Sequence, residues 1–193
     1  MKVPLRARAV FLDRDGVLVE EKGYVSSPDE VILLPKAAGA VRKLSRLGLK
    51  VIIVTNQSGI GRGLFTTADY HRVMDRMYAL LKEEGASVDG AYFCPHAPWD
   101  GCGCRKPMPG LAEQAGRDFG LVLEASFVVG DKGTDLELAR AIGAKGVLVR
   151  TGYGKKTEES KKVNWEAAVD DVSEAAKVIE FWVLEEKHEG PER

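Results

Sequence analysis

Short apolar runs alternate with helical patterns along most of the chain, and this alternation restricts the fold more than any other feature. Ala9 to Leu12 (AVFL) is an apolar run closed by Asp13 and reads as a buried strand. In PKAAGAVRKLSRLG, Ala37, Ala40, Val41, Leu44 and Leu47 fall at helical spacing, with Pro35 near the start and Gly48 at the end. KVIIVTN is a second strand, apolar and β-branched enough to be covered on both faces. A long helix capped by Thr66 or Thr67 follows, with Tyr70, Val73, Met74, Met77, Tyr78 and Leu81 as its stripe and Gly85 at its end. That stripe is expected to be core packing. VDGAYFC, SFVVGD and KGVLVRTG are three further strands. PGLAEQAGRDFG and TDLELARAIG are helices between them, the latter capped by Thr134 or Asp135. A last helix covers about 171–186, and KHEGPER should fray. The expected fold is α/β: a Rossmann-like, mostly parallel sheet with helices on both faces, in one domain spanning 1–193.

In such a sheet, ligands bind beyond the carboxyl ends of the strands. The residues after each strand therefore matter most. Strand one runs into Asp13-Arg14-Asp15-Gly16, and strand two ends in Thr55-Asn56-Gln57-Ser58-Gly59. After strand three come a cysteine loop and Arg105-Lys106; after strand four, Asp131-Lys132 with Asp135 nearby. An isolated D-x-D-G is ordinary turn chemistry. With Thr55, Lys106 and Asp131 on the same rim, it matches what phosphoryl transfer needs. A carboxylate can attack phosphorus, a second carboxyl group can move the proton, and lysine and hydroxyl donors can stabilise the equatorial oxygens. A hard divalent cation offsets the repulsion between the anions.

All three cysteines, Cys94, Cys102 and Cys104, lie within eleven positions, and His96 lies among them. Clustered cysteines in a reducing compartment point to metal or catalysis rather than disulfides. Three thiolates and an imidazole complete a tetrahedral structural zinc site with no open position. The C-x-H and C-x-C spacings are tighter than in common zinc fingers, and Gly101 and Gly103 allow a tight wrap. The alternative is that these cysteines are small buried hydrophobes. Zinc would clamp a short polar loop and so hold Arg105 and Lys106 at the rim.

The formal net charge is −1, with no long basic block, so a nucleic-acid or membrane-surface role has no electrostatic support. No apolar run approaches the roughly 18 residues of a membrane span, and none of signal-peptide length precedes the first acidic residues. A cytoplasmic monomer acting on a small molecule is expected, without a nucleic-acid or membrane partner.

FLDRDGVL, VIIVTNQSG, CRKP and VVGDKGTDLELA resemble, in order, the four motifs of the haloacid dehalogenase-like phosphatases, over roughly residues 8 to 152. The resemblance implies Asp13 as nucleophile, Asp15 as general acid/base, and Thr55 and Lys106 as holders of the transferring phosphoryl group. It also implies Mg²⁺ on the Asp13 side chain, the Asp15 main-chain carbonyl and the Asp131 side chain. Asp135 would support Lys106 or a metal-bound water. CPH…CGCRKP resembles the zinc loop of the subfamily of heptose-bisphosphate and histidinol-phosphate phosphatases. Only about 20 residues separate Asp15 from Pro35, too few for the cap domain of larger relatives. The pocket should be open. EEKGYVSS, TNQSGIGRG and the zinc loop would then set specificity, through Glu21, Lys22, Gly23, Tyr24, Asn56, Gln57, Ser58 and Arg105, with Lys132 beside them. KGYV and TNQSGIGRG look like the heptose-bisphosphate branch, with Arg105 facing the second phosphate. The alternative substrate is histidinol phosphate or another small sugar phosphate. A non-catalytic zinc-stabilised binding module is disfavoured by the intact Asp13, Asp15, Lys106 and Asp131, and a phosphotransferase by the lack of a cap.

Overall fold

A computed structural model describes residues 7–188. Six parallel strands, β1 (Ala9–Leu12), β2 (Lys50–Asn56), β3 (Gly90–Cys94), β4 (Phe127–Gly130), β5 (Lys145–Val149) and β6 (Ala167–Val169), form one sheet in the order β3-β2-β1-β4-β5-β6. The chain moves outward from β1 to β2 and β3, then returns to place β4 on the other side of β1. The direction of winding therefore reverses between β1 and β4, where a crevice opens at the carboxyl ends of the strands.

Alternate residues of each strand meet different helices. Val10 and Leu12 of β1, with Val51 and Ile53 of β2, pack against α1 (Ala37–Arg46), α3 (Thr67–Glu83) and α7 (Val172–His188). Ala9 and Phe11, with Ile52 and Val54, pack against α4 (Gly110–Phe119) and α5 (Gly133–Ala141). Burial on both faces explains why β1 carries no polar residue. The α3 stripe is core, as its spacing predicts: Tyr70, Val73, Met74, Met77 and Leu81 are buried, and Tyr78 is half-buried. Thr66 caps α3, accepting from the Asp69 amide at 3.1 Å while the Thr66 amide donates to Asp69 Oδ2 at 2.7 Å.

Five strands were expected; β6 is a sixth, three residues long and at the sheet edge. Two short helices, α2 (Ser58–Gly61) and α6 (Gly154–Ser160), were not foreseen either. The glycines of SGIG and the polar run GKKTEES carry no apolar period to mark them. Lys132, not Thr134 or Asp135, occupies the N-cap of α5, and Asp135 Oδ2 accepts from the Lys132 amide at 3.0 Å. Helix α7 runs through His188, beyond the expected end, and residues 189–193 of the tail expected to fray lie outside the described residues.

Ile52 sits at the centre of β2, fully buried against α4 and α5. Ile52→Ala is expected to lower stability by about 2–5 kcal/mol through lost transfer energy and a residual cavity. The check is a shift in urea midpoint at unchanged m-value. A loss below about 1 kcal/mol would mean that this face of the sheet is not closed.

Candidate active site

Strands β1, β2 and β4 end together, and their next residues meet in one acidic cluster. Asp13 follows β1 directly, its amide donating to Val129 O of β4 at 3.1 Å. Asp131 follows β4 with no exposed surface. Two glycines permit this approach. Gly16 adopts φ +82°, and a Cβ there would lie 2.3 Å from Asp131 Oδ2. At Gly130 a Cβ would lie 2.1 Å from the Asp135 side chain, so only glycine lets α5 bring Asp135 against the strand end.

Lys106 is the cation nearest Asp13 and Asp135 and is almost fully buried. Its Nζ lies 3.1 Å from Asp13 Oδ1 and 2.6 Å from Asp135 Oδ1, and donates to Val54 O at 2.7 Å. Burial works against the charged lysine, but Asp13 and Asp135 outweigh it and hold Lys106 above its ordinary range. Burial likewise pushes Asp13 up, and Lys106 and Lys132 together pull it below the usual carboxylate value. At Asp131, burial reinforced by the charge of Asp13 outweighs the pull of Lys132, whose Nζ lies 3.7 Å from Oδ1, and pushes the carboxyl up to about 8. Burial also raises Asp15, against the opposing pull of Arg14.

Asp13, Asp131 and Asp135 each offer an oxygen within 4.8 Å of the others. They are not equivalent. Asp135 is committed to Lys106 and the Lys132 amide. Asp131 Oδ2 accepts from the Tyr153 amide at 2.8 Å, while its buried Oδ1 has no hydrogen-bond partner among the described residues. An orphaned buried carboxylate oxygen beside a second carboxylate fits a hard, oxygen-ligated cation.

The cysteine cluster lies where β3 ends. Cys94 Sγ is 3.6 Å from both His96 Nδ1 and Cys102 Sγ; His96 Nδ1 is 3.2 Å from Cys104 Sγ, and Cys104 Sγ is 3.4 Å from Cys102 Sγ. A tetrahedral zinc with ordinary Zn–N and Zn–S bonds needs donors roughly 3.3–3.8 Å apart. Three of these distances fall in that range and the fourth is 0.1 Å short of it, so the cluster is compatible with a structural zinc. Of the two glycines expected to ease the wrap, Gly101 has positive φ, at 64°, and Gly103 does not. The loop is also tied to the sheet by Asn56, whose Oδ1 accepts from the Lys106 amide at 3.0 Å and whose Nδ2 donates to Lys106 O at 3.1 Å.

A cleft of about 590 Å³ opens above the carboxylates. Asp13, Asp15, Glu21, Gly23, Tyr24, Asn56, Gln57, Ser58, Arg105, Lys106 and Lys132 line it, as expected from the sequence. Lys132 Nζ closes one side on Glu21 Oε2 at 2.6 Å. Three expected residues are not on the wall: Asp131, which has no exposed surface, Lys22 and Thr55. Lys22 turns away, its Nζ donating to Glu30 O at 2.9 Å. Thr55 lies buried beneath Gln57, its Oγ1 accepting from Gln57 Nε2 at 2.9 Å. The far wall, with Thr134, Glu137, Tyr153, Thr157, Ser160, Lys162 and Val163, was missed. The available signal was position: TGYGKKTEESKK follows β5 directly and had to land on the same rim.

The HAD-hyrolase-like family model matches residues 103–175. The D-glycero-beta-D-manno-heptose-1,7-bisphosphate 7-phosphatase of Bordetella bronchiseptica is 42% identical over 151 residues, covering 78% of this chain and 84% of its own. The enzyme of the same name from Pseudomonas aeruginosa is 39% identical, covering 88% and 96%. Among solved structures, the D,D-heptose 1,7-bisphosphate phosphatase of B. bronchiseptica, complexed with magnesium and phosphate, superposes with a TM-score of 0.85 at 37% identity, covering 91% of this chain and 99% of that one. With an all-parallel sheet, an acidic cluster at its switch point and relatives matched over most of their length, the chain belongs to the HAD-like hydrolases, in the family of the D-glycero-beta-D-manno-heptose-1,7-bisphosphate 7-phosphatases.

Proposed function

We propose that this protein is a magnesium-dependent phosphatase that removes the 7-phosphate of D-glycero-beta-D-manno-heptose 1,7-bisphosphate through an aspartyl-phosphate on Asp13. One observation carries the reading: an ionised Asp13 stands at the head of the cleft, 3.1 Å from Lys106 and beside the orphaned oxygen of Asp131. The Asp13 and Asp131 side chains and the Asp15 main-chain carbonyl would hold magnesium, whose chemistry is to offset the repulsion between carboxylate and phosphate. An Asp13 oxygen bonds to phosphorus as the bond from phosphorus to the sugar oxygen breaks. Asp15 gives that oxygen its proton. Water then attacks phosphorus, Asp15 takes a proton back, and the bond to Asp13 breaks to release inorganic phosphate. Lys106 neutralises the equatorial oxygens throughout. Thr55 supports this frame through Gln57 rather than from the cleft wall.

Arg105 supports the choice of a bisphosphate. It lines the same cleft as Asp13, and its buried Nη1 has no partner among the described residues. A fixed anion on the substrate, the phosphate at the sugar's first carbon, would satisfy it. Histidinol phosphate, the alternative, presents an ammonium group there instead. Glu21, Gly23, Tyr24, Asn56, Ser58 and Lys132 would contact the sugar and its phosphates. Zinc on Cys94, His96, Cys102 and Cys104 would hold the Arg105–Lys106 segment in place. We take the chain as one catalytic domain acting as a cytoplasmic monomer. Among the described residues no helix is long and apolar enough to cross a membrane.

Heptose bisphosphate is expected to exceed histidinol phosphate in kcat/KM by about tenfold to hundredfold, equivalent to roughly 1.5–3 kcal/mol for a hydrogen bond to a charged group. Arg105→Ala should remove most of that advantage. A better rate with histidinol phosphate, or equal loss on both substrates, would transfer the assignment to the alternative. Protein prepared without chelator is expected to carry one zinc per chain. Cys102→Ser should weaken zinc retention and lower activity although Cys102 touches no substrate. Zinc-free protein with full activity would refute the clamp.

A further inference from the structure

The residue between the two catalytic aspartates is itself buried and charged. Arg14 is 1% exposed, the largest fully buried side chain among the described residues. Burying a guanidinium is costly unless its donors are used in good geometry. Nε and Nη2 are used, chiefly on Asp15, while the buried Nη1 has no hydrogen-bond partner among the described residues. Nε lies 3.0 Å from Asp15 Oδ1 and 3.1 Å from Oδ2, and Nη2 lies 2.9 Å from Oδ1. Nη2 also donates to Gln57 Oε1 at 3.1 Å. Gln57 closes the ring, its Nε2 donating to Asp15 Oδ2 at 2.9 Å and to Thr55 Oγ1 at 2.9 Å. Both oxygens of Asp15 are therefore fixed by a planar fork and an amide that are themselves fixed to each other.

The support continues outward. The Arg14 guanidinium lies 5.8 Å from the centroid of the Tyr70 ring, and Tyr70 of α3 stacks on Phe93 of β3 at 4.1 Å. The Arg14 amide donates to Asp13 Oδ1 at 2.8 Å, and its carbonyl accepts from the amides of Leu18 and Val19. One residue thus links the turn that carries both aspartates to the core beneath it. A lysine would supply the charge but not a fork spanning both carboxylate oxygens.

We propose that Arg14, with Gln57, is a positioning residue for Asp15, holding its carboxyl group on the line from which it protonates the leaving sugar oxygen and later receives the proton of water. This rests on the proposed function. The step it serves balances: the bond from Asp13 to phosphorus forms, the bond from phosphorus to the sugar oxygen breaks, and the proton of Asp15 ends on that oxygen. Ester chemistry separates this role from a merely structural one. An alkyl ester needs the proton, because an alkoxide leaves badly. p-Nitrophenyl phosphate does not, because nitrophenolate is a good leaving group. Its phosphorylation step should tolerate a misplaced Asp15, while the later attack of water should not.

The experiment is rapid-mixing kinetics on Arg14→Gln, Arg14→Lys, Asp15→Asn and the Arg14→Gln/Asp15→Asn double variant, with thermal unfolding run on each. With heptose bisphosphate, phosphoenzyme formation in Arg14→Gln is expected to slow about tenfold to hundredfold, a partial loss that reaches the lower end of the roughly 10²–10⁴-fold contributed by proton transfer. With p-nitrophenyl phosphate, a nitrophenolate burst should persist at a rate within about threefold of the native enzyme, followed by slow turnover, since this ester bypasses the acid step. Arg14→Lys should behave alike, and it carries the test should the glutamine variant fail to fold. In the Asp15→Asn background, Arg14→Gln should add less than about a twofold change, because the two act as one unit. Equal slowing of both esters, or a further large loss in the double variant, would overturn the proposal and leave Arg14 a general support of the fold. An Asp15→Asn enzyme with normal phosphorylation by the heptose ester would overturn the role of Asp15 itself, and this proposal with it. Slow Asp15→Asn with normal Arg14 variants would overturn this proposal alone.

Discussion

The buried ammonium of Lys106 is the interaction on which the rest of the site depends. Four carboxylates, Asp13, Asp15, Asp131 and Asp135, are almost wholly buried where three strands end. Arg14 pairs with Asp15 and Lys132 with Asp131; without Lys106, Asp13 and Asp135 would be left as buried charges without their nearest cation. Lys106 reaches Asp13, Asp135 and the Val54 carbonyl at once, so it joins the turn after β1, the end of β2 and the first turn of α5. Removing one member of such a buried ion pair costs about 3–5 kcal/mol, because the other charge is left uncompensated. The same contact keeps Asp13 ionised, which the proposed attack on phosphorus requires. Stability and chemistry therefore rest on one side chain.

That side chain does not belong to a strand or a helix. It stands in the loop between β3 and α4, and two devices hold it. Asn56 pairs with both backbone groups of Lys106, in effect extending β2 by a side chain. The Cys94, His96, Cys102 and Cys104 cluster gathers the rest of the loop within donor distances suited to zinc. A loop of this polarity has little apolar surface of its own to bury, so a metal clamp substitutes for a core. In the proposed reaction the zinc site then governs two neighbours with different tasks, Lys106 at the transferring phosphoryl group and Arg105 at the fixed phosphate.

Much of this was legible in the sequence because the physics there is local. AVFL and KVIIVTN are apolar because both faces of their strands are covered, and the structure returns the same boundaries, Ala9–Leu12 and Lys50–Asn56. The segments that follow the strands of an all-parallel sheet share one rim, so the sequence alone groups Asp13, Lys106 and Asp131. What escaped lacks a local signal. Strand β6 is three residues at an edge, and α6 is a polar turn that packs because Gly154 lies against the Val149 carbonyl. The turning away of Lys22, the burial of Thr55 beneath Gln57 and the clasp of Arg14 on Asp15 depend on side-chain directions that no periodicity encodes. Gly130 belongs with them: its reason, the approach of Asp135, is a contact across the fold.

In the proposed reaction Asp13 carries the phosphoryl group. The direct measurement is rapid acid quenching of the enzyme during turnover of radiolabelled heptose 1,7-bisphosphate, followed by peptide mapping. The account predicts a hydroxylamine-labile acyl phosphate, at no more than one per chain, on the peptide containing Asp13, and neither label nor magnesium-dependent phosphate release in Asp13→Asn. Label on a different residue, or an Asp13→Asn enzyme with near-normal turnover, would contradict it.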